Sequence, residues 1–206
     1  GYLINVSIQS LDQLMINIKA NLFLLAMPII LMGIVESFFG LLSVAVFHDQ
    51  IGSGFLRPGI YMIVIATLMM GFAKQFDSSR IGYRDALLFA TLTWIICGLL
   101  GAVPIVLVAH TSITDGVFES ISALTTTGAT VLSGLDQMPR SFLMYRQFLQ
   151  WLGGLGVVIF VVAILPMLNV GGMKLLKAET PGPIKDDKLS PRITKTAHYL
   201  WLIYLI

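Results

Sequence analysis

Thr125-Thr126-Thr127-Gly128-Ala129-Thr130 is the stretch of this chain whose residue types and spacing can do chemistry. Its β-branched residues are poor helix formers and favour extended backbone. An extended strand facing an axis points carbonyl oxygens inward, where they replace the hydration shell of a dehydrated monovalent cation. Gly128 has no Cβ, so it can reach φ > 0 and keep its carbonyl aimed at such an ion. The threonine hydroxyls can add ligands or brace the strand. The plainer reading is a surface loop with turn residues, and a T-T-T-G string alone does not exclude it.

The residues just before the stretch favour the first reading. Thr114 or Asp115 is an acceptable N-cap, and Val117, Phe118, Ile121 and Leu124 come after it at helical spacing. The spacing predicts a helix over 115–125, about ten residues or roughly 15 Å long. That is half of a hydrocarbon core of about 30 Å. Its partly negative C-terminal end would point toward the ion path. A short helix followed by an extended return over 125–130 is a re-entrant loop. Membranes tolerate such backbone only where protein buries it or it lines a water-filled path.

The rest of the chain supplies the membrane. Of 206 residues, 56% are hydrophobic and 12% charged, whereas an ordinary soluble domain is about 45–50% apolar and about 25% charged. A water-soluble globule and a disordered chain are both excluded on these numbers. A net charge of +2 gives no reason to expect nucleic acid, and one cysteine excludes a disulfide scaffold. Apolar runs cover 22–47, 58–73 (extendable to Phe55), 86–109 and 147–173, the last starting near Ser141. A further run opens near Thr194. None shows the period-2 alternation of a membrane β-barrel, so they read as helices. Lys19, Lys74, Arg80, Arg84, Lys174, Lys177, Lys185, Lys188, Arg192 and Lys195 all fall on one side of the resulting topology. The positive-inside rule makes that side cytoplasmic. Residues 1–21 mix apolar and polar positions and read either as an interfacial segment or as the tail of a preceding element. The chain opens on Gly1 and stops inside an apolar run, so it is expected to be a fragment.

Several motifs carry a resemblance. Phe118-Glu119-Ser120, Ala123 to Thr130 and Gly134-Leu135-Asp136 resemble the first pore segment of the Trk/Ktr/HKT superfamily. Tyr145 to Gly156 (YRQFLQWLGGLG), Ala163-Ile164-Leu165-Pro166 and Ala178 to Pro183 are similar to the segments downstream of that pore in the same superfamily. The match over 117–192 is to the bacterial TrkH-type potassium uptake family. The resemblance implies an all-α polytopic membrane protein built from four membrane helix–pore helix–membrane helix repeats with re-entrant filter loops. The first repeat would cover 84–173, with membrane helices at 86–109 and 141–166. Residues 22–75 would be two additional N-terminal membrane helices, 174–195 a cytoplasmic loop and 194–206 the start of the second repeat.

By position, the resemblance makes Thr126 and Thr127 potassium ligands through their carbonyls and Gly128 the filter glycine, flanked by Thr125, Ala129 and Thr130. It implies potassium as the transported ion with no other cofactor, a bacterial inner membrane, a homodimer, and a cytosolic nucleotide-binding TrkA-type regulatory subunit. A sodium-conducting relative is the nearest alternative, and there a serine replaces the filter glycine. A non-conducting membrane scaffold is the alternative from another class.

Other residues have duller readings. Glu119 and Arg146 are costly in a membrane and are expected to pair and brace the pore loop; separate solvation is the competing reading. Glu36 is expected to pack against a polar neighbour. Gly153, Gly154 and Gly156 suit close helix packing. His48, His110 and His198 have no metal-ligand spacing. No phosphate loop, dinucleotide fingerprint or nucleophile–base motif is present, which speaks against an enzyme.

Overall fold

The computed structural model describes residues 18–73, 83–159, 199–200 and 202–205. Residues 1–17 of the predicted segment 1–21, the predicted loop 174–195 and the end of the fourth apolar run lie outside them, and residues 18–21 open the first described helix. The chain divides into two units, 1–151 and 152–206. In the second, the described residues are helical: the end of one long helix, 199–200 and 202–205.

Among the described residues, unit one begins with α1, Ile18–Leu42, which continues as a π-helical turn over Ser43–Phe47. His48 ends it in the left-handed conformation, its N–H donating to the Ser43 carbonyl. Leu25, Ile29, Met32, Glu36, Phe39 and Ser43 recur every three or four residues and form one buried stripe. The opposite face is exposed yet equally apolar, with Met27, Leu31, Ile34, Phe38 and Leu41. A helix apolar all round belongs in a membrane or a large core.

α2, Gly52–Ala73, returns antiparallel. Ile18–Phe47, Gly52–Ala73 and Leu87–Ala109 are each long and apolar enough to cross a membrane. α2 begins six residues before the predicted run because Gly52, Ser53 and Gly54 continue the helix. Glycine is a weak helix former, but here it is needed for contact. Gly33 and Gly40 on α1 face Gly59 and Gly52 on α2, each pair seven residues apart along its own helix. A Cβ on Gly33 would stand 2.7 Å from the Gly59 carbonyl oxygen, and one on Gly52 would stand 2.9 Å from that of Gly40. The two backbones therefore touch, as small residues permit in membranes.

α3, Tyr83–Ala109, and α5, Arg140–Ile159, flank a shorter helix, α4, Ile113–Leu124. Three polar or aromatic links tie the first two helices to these. Asn21 Nδ2 donates to Asp85 Oδ1 at 2.6 Å, both side chains buried. The Phe39 and Phe55 rings meet Tyr145 at 5.5 and 5.1 Å, edge to face, and Phe148 joins Phe39 at 5.5 Å. Asp49, in the α1–α2 connection, reaches the start of α5. Its Oδ2 accepts from the Ser141 amide at 3.1 Å and the Ser141 hydroxyl at 2.6 Å. The Ser43 hydroxyl donates to its other oxygen. Partial burial pushes the Asp49 carboxyl up, but the hydrogen bonds from Ser141 and Ser43 outweigh it and hold it below the usual range. Asp49 thus caps, from a distant loop, a helix end whose own first N–H groups lack partners.

Glu36 packs against a polar neighbour, as expected: it is fully buried and the Tyr145 hydroxyl lies beside its carboxyl group. That hydroxyl donates to the Gly101 carbonyl at 3.0 Å.

Candidate functional site: a re-entrant helix and its return loop

α4 starts earlier than its sequence suggests. The cap is Ser112, not Thr114 or Asp115. The Asp115 amide donates to the Ser112 hydroxyl oxygen at 3.1 Å. In return the Ser112 hydroxyl donates to Asp115 Oδ2 at 2.8 Å, and that of Thr111 at 3.2 Å. Asp115 fits the first turn as an acid near a helix N-terminus, not as the cap itself. The helix has 12 residues, or about 18 Å at 1.5 Å per residue, too short to span.

Glycines on α3 and α4 let the short helix lie close against α3. A Cβ on Gly101 would stand 2.6 Å from the Ser120 hydroxyl, and one on Gly98 would stand 2.9 Å from Ile121 Cγ1. Gly116 faces the Val106 side chain in the same way.

The chain leaving α4 is wound onto the helix end. The amide of Thr125 donates to the Ile121 carbonyl at 2.8 Å, and that of Thr126 to Ala123 at 2.9 Å. The amides of Thr127 and Gly128 both donate to the Ser122 carbonyl, at 2.9 and 3.3 Å. Orphan carbonyls at a helix C-terminus need such donors. The winding puts Thr126 at φ +57° and Gly128 at φ +72°. The left-handed conformation is easy for Gly128 and costly for a β-branched threonine. The predicted extended run over 125–130 is thus a turn at Thr125 and Thr126, with an irregular return only after it. The open helix carbonyls capture the amides before the strand can extend.

This arrangement sorts the backbone groups of the loop. The amides of Thr125 to Gly128 face the helix. The carbonyls of Thr125, Thr126, Thr127 and Gly128 accept no hydrogen bond from the described residues, and Thr125 to Thr130 are exposed. Ala129 is different. Its carbonyl accepts from the Ser122 hydroxyl at 2.7 Å. Ser122 therefore pins the loop twice, by its carbonyl and by its hydroxyl. The Thr125 and Thr127 hydroxyls pair with each other at 2.8 Å.

Glu119 holds the return. Its Oε1 accepts from the Thr130 hydroxyl and the Val131 amide, both at 2.6 Å, and from the Leu132 amide at 3.3 Å. Its Oε2 meets Arg146 Nη2 at 2.5 Å. The Glu119 side chain is 0% exposed and that of Arg146 is 14% exposed. Glu119 and Arg146 are thus brought together, and through Glu119 α5 is tied to the loop. Behind the loop lies a cavity of about 170 Å³, bordered by Glu119, Ser122, Gly128, Thr130, Arg146 and Gln150 among others.

Ser122 and Gln150 do not stand out in the sequence. Gln150 alone left a signal there: it lies four residues after Arg146, hence on the same helix face. His48 and His110 end α1 and α3 in left-handed conformations. Among the described residues no group of three or more His, Cys, Asp or Glu is placed to hold a metal ion.

Comparison with known proteins agrees with this fold. The chain matches the TrkH family of cation transport proteins over residues 52–206. It is 45% identical over 161 residues to the Trk system potassium uptake protein TrkH of Vibrio parahaemolyticus, covering 77% of this chain and 33% of that protein. It is 44% identical over 163 residues to TrkH of Escherichia coli K12, covering 78% and 34%. With TrkH of Halomonas elongata the identity is 58% over 123 residues, covering 59% and 26%. The crystal structure of the potassium transporter TrkH from Vibrio parahaemolyticus superposes with a TM-score of 0.75 at 33% identity, covering 92% of this chain and 37% of that one. The chain spans about a third of the length of the curated relatives it matches. A helical fold with three membrane-length helices, a half-length helix with a braced return loop, and these matches place the chain in the TrkH family of cation transport proteins.

Proposed function

We propose that this chain carries one segment of a potassium-conducting filter within a transporter of the bacterial inner membrane. α3, α4 with its loop, and α5 would form the first of four repeats, over 84–173, with α1 and α2 as an additional pair. The observation that carries the reading is the sorting of the loop backbone. Its amides are spent on the end of α4, while Thr126, Thr127 and Gly128 are exposed residues whose carbonyls have no donors among the described residues. A row of free carbonyls is what replaces the hydration shell of a potassium ion. Ala129, whose carbonyl serves Ser122, braces the row and does not extend it. Thr125 and Thr127 lock their hydroxyls together, which leaves the Thr127 carbonyl as its ligating group.

Three further segments from the remaining repeats would close the ring. The membrane potential drives uptake, worth about 2.3 kcal/mol per charge per 100 mV. A partner ring of TrkA type and a second copy of the transporter complete the assembly the resemblance implies.

The test is rubidium uptake by the complete transporter in cells lacking other potassium uptake systems. Excess potassium should suppress it, and equal sodium should leave it nearly unchanged. Equal suppression by sodium would point to the sodium-conducting alternative, and no uptake at all to a scaffold.

A further inference from the structure

Position 128 is watched from behind. A Cβ added to Gly128 would meet one atom within contact distance, the amide nitrogen of Gln150, at 3.2 Å. Real Cβ atoms are rarely approached that closely, so Gln150 would have to give way. Gln150 projects from α5 four residues after Arg146, on the same face. Arg146 spends its charge on Glu119, whereas the Gln150 amide makes no hydrogen bond among the described residues. It is half-buried and borders the cavity behind the loop. At about 30 Å³ per water, a cavity of about 170 Å³ has room for several waters. A side-chain amide offers two donors and an acceptor to such waters, beside the loop that carries the free carbonyls.

We propose that Gln150 is a positioning residue for the filter: its amide backs Gly128 across a polar, water-sized cavity and holds the loop carbonyls at the spacing that separates potassium from sodium. This rests on the filter reading of Thr126 to Gly128. Gln150 touches no ion; it acts through the glycine and the waters behind it.

The proposal is tested in the complete transporter by uptake, ion competition and membrane abundance. Gln150→Leu keeps the bulk and removes the amide. It is expected to lower the preference for potassium over sodium about tenfold, the equivalent of one net hydrogen bond, at normal abundance. Gln150→Asn, which retains an amide, should keep most of that preference. A residue that merely packs would change abundance and leave selectivity alone.

The second arm is a cycle with Gly128→Ala, which should lose most uptake. Adding Gln150→Ala should restore part of it, because the added methyl then has room; the positive φ keeps recovery incomplete. Should Gln150→Leu fail to reach the membrane, this cycle decides. Unchanged selectivity in Gln150→Leu, or independent losses in the cycle, overturns the role of Gln150. Normal uptake and selectivity in Gly128→Ala overturns the filter reading itself.

Discussion

Glu119→Ala is expected to abolish uptake and to lower the amount of folded protein. One carboxylate takes donors from Thr130, Val131, Leu132 and Arg146. Its removal frees the return loop and leaves the Arg146 guanidinium without its partner in a site where 14% of that side chain is exposed. Breaking one side of a buried ion pair costs about 3–5 kcal/mol, because a charge remains unpaired. That is a large share of a typical stability of about 5–15 kcal/mol. Glu119→Gln keeps an acceptor for the loop and loses the charge, so it should fall between alanine and wild type. Arg146→Gln should be milder than Glu119→Ala, since the carboxylate retains its loop donors. In a double-mutant cycle the two positions should couple by about 1–3 kcal/mol. Stability in detergent and rubidium uptake measure both effects. Independent losses would mean that the pair does not act as one brace.

Gly59→Val is expected to keep the protein from accumulating in the membrane. A Cβ at Gly59 would stand 2.6 Å from the Ser37 hydroxyl, and 2.8 Å from both the Gly33 carbonyl oxygen and the Ser37 amide nitrogen. Two of these are backbone atoms, which cannot rotate away as a side-chain end can. The helices would have to separate, and overpacking of this kind costs about 1–3 kcal/mol or more. Separation would also pull Phe39 from Phe55 and Tyr145, which meet at the same seam. Gly71→Val makes the control, because a Cβ there would meet nothing within 4 Å. Equal abundance of Gly59→Val and Gly71→Val would contradict this close crossing of α1 and α2.

These two cases also mark how far the sequence alone reaches. The membrane helices follow from length and apolarity, so 86–109 anticipates all but the first turn of α3. Apolarity says nothing of glycines, and Gly52 to Gly54 therefore look like a loop until Gly40 is seen against Gly52. The pairing of Glu119 with Arg146 follows from cost: two charges in an apolar setting need each other. Asp49 and Ser141 carry no such warning, since either is at home on a surface and 92 residues separate them. Ser122 looks like an ordinary helical serine. Its role exists only because the chain after Thr125 turns back over it. Thr126 is the sharpest departure. Its type argues for extended backbone, and the unsatisfied carbonyls at the end of α4 override that preference.

The central claim is that the carbonyls of Thr126, Thr127 and Gly128 hold the ion. Anomalous scattering from rubidium, in crystals of the complete transporter, tests it directly. Rubidium peaks are expected against those carbonyls, lost on exchange into sodium. Rubidium bound elsewhere, with these carbonyls turned onto protein donors, would contradict it.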